Sequence, residues 1–119
     1  LEEGEKTAAQ KLHAARILEE MEVHESLGAD GVRWFELRHG GACVGRGGYR
    51  LLAGGERAEV VGGEIEGAFR RQGLGRYLLL YRLKKISGEG PVEWVEAEVP
   101  EGALEFFVKQ GFRPLREAV

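Results

Sequence analysis

The sequence lacks most of the groups that small-protein chemistry draws on. Cys43 is the only cysteine, so no internal disulfide can staple the domain, and a reducing cytoplasm is the expected home. Histidine is scarce, with only His13, His24 and His39. None has metal-ligand spacing with Cys43, so no metal is expected. No apolar run is long enough to cross a bilayer, and no basic-then-apolar leader opens the chain, so no membrane partner is expected. An excess of positive charge is missing too. The 17 Lys+Arg stand against 20 Asp+Glu for a net charge of -3, which argues against a nucleic-acid partner. The common nucleotide loops are also absent. There is no GxxxxGK[ST], and Gly73-Leu74-Gly75 is followed by Leu78 where a dinucleotide fingerprint needs glycine.

What the chain has is enough apolar material for a core, 43% of 119 residues, which suits one domain over residues 1–119. Thr7 and Gln10 fit a capping box for a helix running to about Leu27, with Leu12, Ala15, Leu18 and Met21 or Glu22 on one side and Gly28 as its stop. Val32–Arg38, Ala42–Leu52 and Arg57–Ile65 read as three antiparallel strands joined by glycine turns. Gly45, Gly47 and Gly48 weaken or bulge the second, and Gly62-Gly63 bulges the third. From Leu74 to Ile86, Leu74, Leu78, Tyr81 or Arg82, and Leu83 recur at helical spacing. Val92–Val99 alternates as a strand. Glu101–Gln110 is a short helix capped by Gly111, and Phe112–Arg116 is a last strand. The order predicts an α+β domain with a mixed sheet.

The stretch Phe69–Lys85, FRRQGLGRYLLLYRLKK, is the most informative. A strand that enters a glycine turn and then a helix aims free backbone N–H groups and the positive end of the helix dipole at one spot, which suits a phosphate. Arg70-x-x-Gly73-x-Gly75 reads as (Q/R)-x-x-G-x-(G/A). Ala103-Leu104-Glu105-Phe106-Phe107-Val108-Lys109-Gln110-Gly111-Phe112 reads as A-x-x-F-(Y/F)-x-x-x-G-F. Together with the element order these resemble the acetyl-CoA-dependent GNAT N-acetyltransferase superfamily over about Val32 to Arg116. The resemblance implies the acyl-CoA N-acyltransferase fold: a mixed, mostly antiparallel sheet with flanking helices, its first and last strands left in question here. A glycine turn that only starts a helix, inside an unrelated α+β interaction domain, is the plain alternative.

The resemblance implies acetyl transfer from acetyl-CoA to a primary amine by direct attack. The pantetheine arm would pair with backbone near Ile65, in a gap between that strand and Val92–Val99. The pyrophosphate would meet the loop of Arg70, Arg71, Gln72, Gly73, Leu74, Gly75 and Arg76, with Phe106 and Phe107 also beside the coenzyme. Glu59, six residues before Ile65, stands where some relatives carry their catalytic base, and Glu64 is second; the Ile65 N–H or a neighbour would meet the oxyanion. Where many relatives have a tyrosine acid, this chain has Phe107, and Pro100 replaces a frequent asparagine. Water, Tyr81, Tyr77 or Cys43 is left to protonate the thiolate. The same gap motivates a second reading, a CoA-binding module without turnover. Glu59, Glu64, Glu66, Glu96 and Glu98 would form an acidic mouth, which points to a cationic acceptor. The chain also ends soon after Phe112, where the family usually has another strand. That leaves room for a homodimer in which a partner supplies it.

Overall fold

The computed structural model describes residues 8–52, 54–70, 73–100 and 102–114, apart from the side chains of residues 13 and 14. Its elements are α1 (Ala8–Glu19), β1 (Glu22–Leu27), β2 (Arg33–His39), β3 (Ala42–Leu51), β4 (Arg57–Ile65), a 3₁₀ turn at Gly67–Phe69, α2 (Leu74–Ser87), β5 (Trp94–Ala97) and α3 (Leu104–Lys109). The five strands form one sheet in the order β1-β2-β3-β4-β5. The first three pairings are antiparallel, and β4 with β5 is parallel. The expected mixed, mostly antiparallel sheet with flanking helices is therefore present.

The first helix is shorter than its spacing predicts. The helix ends as Glu20 N–H and Met21 N–H bond back to the Arg16 and Leu18 carbonyls, and Glu22–Leu27 is an edge strand paired with β2 from Glu22↔Arg38 to Leu27↔Arg33. A strand thus stands ahead of the three-strand meander. Only one neighbour holds it, so its sequence EVHESL is mostly polar and carries little alternation to read. Gly28, expected as a helix stop, opens the β1–β2 hairpin loop instead, its N–H bonded to Val32 O at 2.8 Å. Thr7 of the expected cap lies outside the described residues. At the other end, residues 112–114 have no regular structure where a strand was expected, and 115–116 lie outside the described residues.

Two bulges shape the middle of the sheet. Leu37 faces Gly45 while Arg38 faces Cys43, so Val44 is an extra residue in β3. Arg46 faces Glu64 while Gly47 faces Gly62, so Gly63 is an extra residue in β4, at the expected place. Gly62 and Gly63 take φ of 70° and 127°, which side chains with a Cβ rarely adopt.

The core lies between one face of this sheet and α2. Phe35, Leu37, Tyr49, Ala58 and Val60 meet Leu74, Leu78, Leu79 and Ile86, with Ile17 of α1 and Phe107 of α3 closing the ends. Leu74, Leu78, Arg82 and Ile86 form one i+4 row along α2, and all four are buried. Burial of such a row supplies most of the helix stability. Of the two positions that spacing left open, it is Arg82 and not Tyr81 that fills the row.

Candidate active site

The site begins where two strands part. The parallel ladder of β4 with β5 runs from Arg57↔Trp94 to Val60↔Ala97 and stops. Residues 61–65 of β4 continue alone on that side. Glu66 gives its N–H to Val44 O of β3 at 2.8 Å, so by strand alternation the N–H and C=O of Ile65 face away from β3, into the gap. The carbonyl accepts from Arg70 Nε at 3.1 Å. The Ile65 side chain packs on β3, where a Cβ on Gly45 would lie 2.6 Å from its Cδ1, so Gly45 makes the room that Ile65 fills.

The loop then rises through Gly67–Phe69, where Phe69 rests on His39 with ring centroids 5.6 Å apart. Arg71 and Gln72 lie outside the described residues. Gly73 precedes α2 at φ 81° and accepts from Tyr77 N–H at 3.0 Å, so the first helical turn forms without a side-chain cap. That turn holds no acidic residue, and Arg76 beside it is exposed and forms no ion pair among the described residues. Among the described residues no side chain caps the positive end of the helix dipole, and the cationic Arg76 stands beside it.

The late signature completes this corner. Phe106 packs over Gly75, where a Cβ would meet its ring at 3.8 Å. Phe107 is buried, edge-on to Phe106 and to Phe112 at 5.4 and 5.3 Å. Gly111 at φ 98° turns the chain so that Phe112 N–H bonds to Phe107 O. The FFVKQGF pattern is thus a helix end that locks aromatic rings against the α2 N-terminus. Having no hydroxyl, Phe107 can exclude water but cannot donate a proton.

Alongside the paired half of β4, a cavity of about 1290 Å³ opens along β5 and α3, and none of residues 61–65 lines it. Glu59, Glu93, Glu96 and Glu98 line it, with Trp94 and Phe107. Glu59 is half-buried, and its Oε1 accepts from Arg50 Nε and Nη2 at 2.9 and 2.8 Å; its Oε2 has no partner among the described residues. Both oxygens of Glu96 accept from Arg57 Nη2 at 2.8 Å. Glu93 and Glu98 form no ion pair among the described residues. Glu64 and Glu66 are exposed and do not line the cavity, so the expected five-carboxylate mouth is narrower than the sequence implied.

The stand-in acids lie elsewhere. Tyr81 packs edge-on to Phe35 at 5.3 Å, beneath Lys85, which is itself paired to Glu25 of β1 at 3.3 Å. Leu83, two residues on and so about 200° around the helix, is the α2 residue that reaches the cavity. Tyr81 is therefore turned toward β1 and β2, away from Glu59. Tyr77 neighbours it at 6.3 Å, and Cys43 is exposed on β3.

One residue of this region went unread in the sequence. Arg82 is only 2% exposed, and its guanidinium donates to Leu78 O, Gly48 O and Val61 O. Burial pulls its pKa down to about 10, so it remains a cation at neutral pH. Its signal was an arginine on an otherwise apolar i+4 row.

Comparison with known proteins agrees with this architecture. The Acetyltransferase (GNAT) family model matches residues 3–112. No curated protein sequence matches the chain. Among solved structures, a Trypanosoma brucei acetyltransferase is similar at TM-score 0.63 and 22% identity, over 75% of this chain and 67% of that one. An aminoglycoside acetyltransferase from an uncultured soil sample, solved with trehalose, gives 0.62 and 16%, over 93% and 83%. N-acetylglutamate synthase from Neisseria gonorrhoeae, solved with coenzyme A and L-arginine, gives 0.63 and 18%, over 92% of this chain but only 26% of that one. At these identities the structures speak for the fold, while the family match covers nearly the whole chain. A sheet parted beside a glycine loop, and a family match across the same elements, make this chain a member of the GNAT acetyltransferase family.

Proposed function

We propose that the protein is an acetyl-CoA-dependent N-acetyltransferase that moves an acetyl group to a primary amine by direct attack. The observation that carries this is the gap beside β4: ladder pairing ends at Val60↔Ala97, just where the backbone of residues 61–65 turns toward the glycine loop. An extended pantetheine arm would pair there as an added strand. The fit for the diphosphate is the open N-terminus of α2 with Gly73 at positive φ and Arg70 and Arg76 alongside, to which the sequence adds Arg71 and Gln72.

In the proposed reaction the neutral amine nitrogen bonds to the thioester carbon. The carbonyl becomes an oxyanion held by the Ile65 N–H or a neighbour, and the carbon–sulfur bond then breaks. The amine proton leaves to Glu59, through Oε2 and directly or by water, with Glu64 the second candidate. The thiolate takes a proton from water, since Phe107 has none to give and Tyr81 faces the other side of α2. With a free-thiol pKa of about 8.5, a thiolate leaves without a strong acid.

The cavity favours a cationic small amine. Four lining carboxylates stand against one lining cation, Arg113; among the described residues Glu93 and Glu98 form no ion pair, and Trp94 offers a half-exposed ring for a cation. Among the described residues no strand pairs with the outer edge of β5, and sedimentation velocity tests whether a second copy docks there.

Thermal shift with excess acetyl-CoA, followed by thiol release with a panel of amines, tests the reading. Stabilisation plus amine-dependent release is the expected result. Stabilisation without release favours the second reading, a CoA-binding module, which the missing acid at Phe107 motivates. No stabilisation at high excess overturns both.

A further inference from the structure

We infer that Arg82 is a positioning residue for the proposed acetyl transfer: its guanidinium, seated between Gly47 and Gly63, fixes the β4 bulge and with it the backbone donors of the gap. The chemistry in this inference rests on the acetyltransferase reading, whereas the geometry stands apart from it.

Arg82 breaks the logic of its own helix. Leu74, Leu78 and Ile86 on the same row are apolar, and a leucine or methionine at 82 would continue the ridge. Instead the row carries a cation that is 2% exposed and has no carboxylate partner among the described residues. Buried ions are costly, and apolar replacements of similar volume often stabilise a fold. What an apolar side chain cannot do is donate to two strands at once. Arg82 Nη1 does so, to Gly48 O of β3 at 3.1 Å and Val61 O of β4 at 3.2 Å, and Nε ties the group back to Leu78 O at 3.3 Å.

The seat is built for it. A Cβ on Gly47 would lie 3.0 Å from both Cζ and Nη1, and one on Gly63 would lie 3.3 Å from Nη2. Both distances are tighter than ordinary van der Waals contact, so a side chain at either position would crowd the guanidinium. Its place matters because Gly63 is the extra residue of β4. One residue more or less in a strand reverses which way every following N–H and side chain points. Without the bulge, the Ile65 N–H would turn from the gap toward β3. Gly62 and Gly63 leave the backbone free to take several paths, and Arg82 is the group that selects one by holding the carbonyl immediately before them.

Arg82→Met (similar volume, no donors), Arg82→Lys and Gly47→Ala provide the test, read by backbone amide exchange and by kinetics. In Arg82→Met, exchange at the Glu64 and Glu66 amides, which face β3, is expected to rise at least tenfold while β2 stays as in the parent. With an amine that supports turnover, kcat should fall 10- to 100-fold, with a smaller change in KM for acetyl-CoA. Arg82→Lys should restore part of kcat. Gly47→Ala should give the same phenotype by crowding the seat, and the double variant should be no worse than either single one. Unchanged exchange at Glu64 and Glu66 overturns the inference, because the bulge would then hold itself. So does a rise spread evenly over the sheet, which is a loss of general stability. Should Arg82→Met fail to fold, Arg82→Lys and Gly47→Ala carry the same comparison. A parent that neither binds acetyl-CoA nor releases thiol overturns the acetyltransferase reading alone, since exchange still decides what holds the bulge.

Discussion

The two halves of β4 are built on different terms. Arg57–Val60 has a neighbour on both sides, β3 and β5, and its outward side chains are tied across the sheet, Arg57 to Glu96 and Glu59 to Arg50. Ala58 and Val60 on its inner face are buried. From Val61 to Ile65 the strand keeps β3 and has no β5, carries two glycines at positive φ, and takes side-chain donors, from Arg82 and Arg70, where a sheet would supply backbone. The first half is an ordinary interior strand. The second leaves backbone groups unpaired by strand toward a gap, which a stable fold tolerates only where something else can meet them. Under the proposed function, stability and ligand chemistry separate along one strand, with Val60 as the last residue of the first kind.

Glu59 crosses that division, since it sits in the closed half yet faces the cavity. If it is the base, Glu59→Gln should lower kcat by about 100-fold or more, the usual size of a general-base contribution. KM for acetyl-CoA should stay near the parent value, and Glu64→Gln should matter little. Steady-state kinetics decide this. A large loss for Glu64→Gln with little for Glu59→Gln would move the chemistry into the open half.

The next effect is on stability alone. Val60 is 4% exposed at the end of the closed half. Val60→Ala should cost about 2 kcal/mol, from lost burial and the cavity left behind. Urea denaturation measures it. The thermal shift given by acetyl-CoA should survive in this variant, because the open half is untouched. Loss of that shift would show that the two halves do not separate.

How far the sequence disclosed this division depends on what each feature leaves in a pattern. Strands β2 to β4 were legible because turn glycines bound them and their apolar residues alternate. The turn into α2 was legible because Gly73 takes positive φ there, a conformation that glycine adopts freely. β1 was not: an edge strand with one neighbour needs little apolar alternation, and Met21 continued the helical spacing of Leu18 by accident. The bulge at Gly62-Gly63 could be placed, but what it holds could not, since Arg82 comes from 19 residues further along the chain. Ion pairs were equally hidden. Glu59 and Glu96 both look like free carboxylates in a strand pattern, and only the register brings Arg50 and Arg57 to them.

Tyr49 offers a smaller effect on the closed side, because it pairs with Val60 in the ladder. Its hydroxyl donates to Glu89 Oε1 at 2.8 Å, and burial first, then that carboxylate, raises its pKa to about 12. The fold thus holds the phenol neutral. Its contribution is whole below the unfolded value near 10 and is lost as the pH rises to about 12. Tyr49→Phe should cost about 1 kcal/mol at neutral pH. It should also remove that part of the stability loss between pH 10 and 12, as read from urea midpoints across that range.

The smallest effect on stability sharpens the acceptor question. Arg57 is half-exposed and holds both oxygens of Glu96 at the rim of the cavity. Such a pair contributes little to folding, so Arg57→Gln should stay within about 0.5 kcal/mol of the parent. Its electrostatic consequence is larger in proportion. The substitution frees one carboxylate and removes one cation beside Glu93 and Glu98, so the cavity gains net negative charge where a cationic amine would arrive. KM for such an amine should fall severalfold, more at low salt than at high, while KM for acetyl-CoA, proposed to bind at the other half of β4, stays constant. A neutral or anionic acceptor would respond in the opposite sense or not at all. The direction of that one KM therefore reads the charge of the natural acceptor.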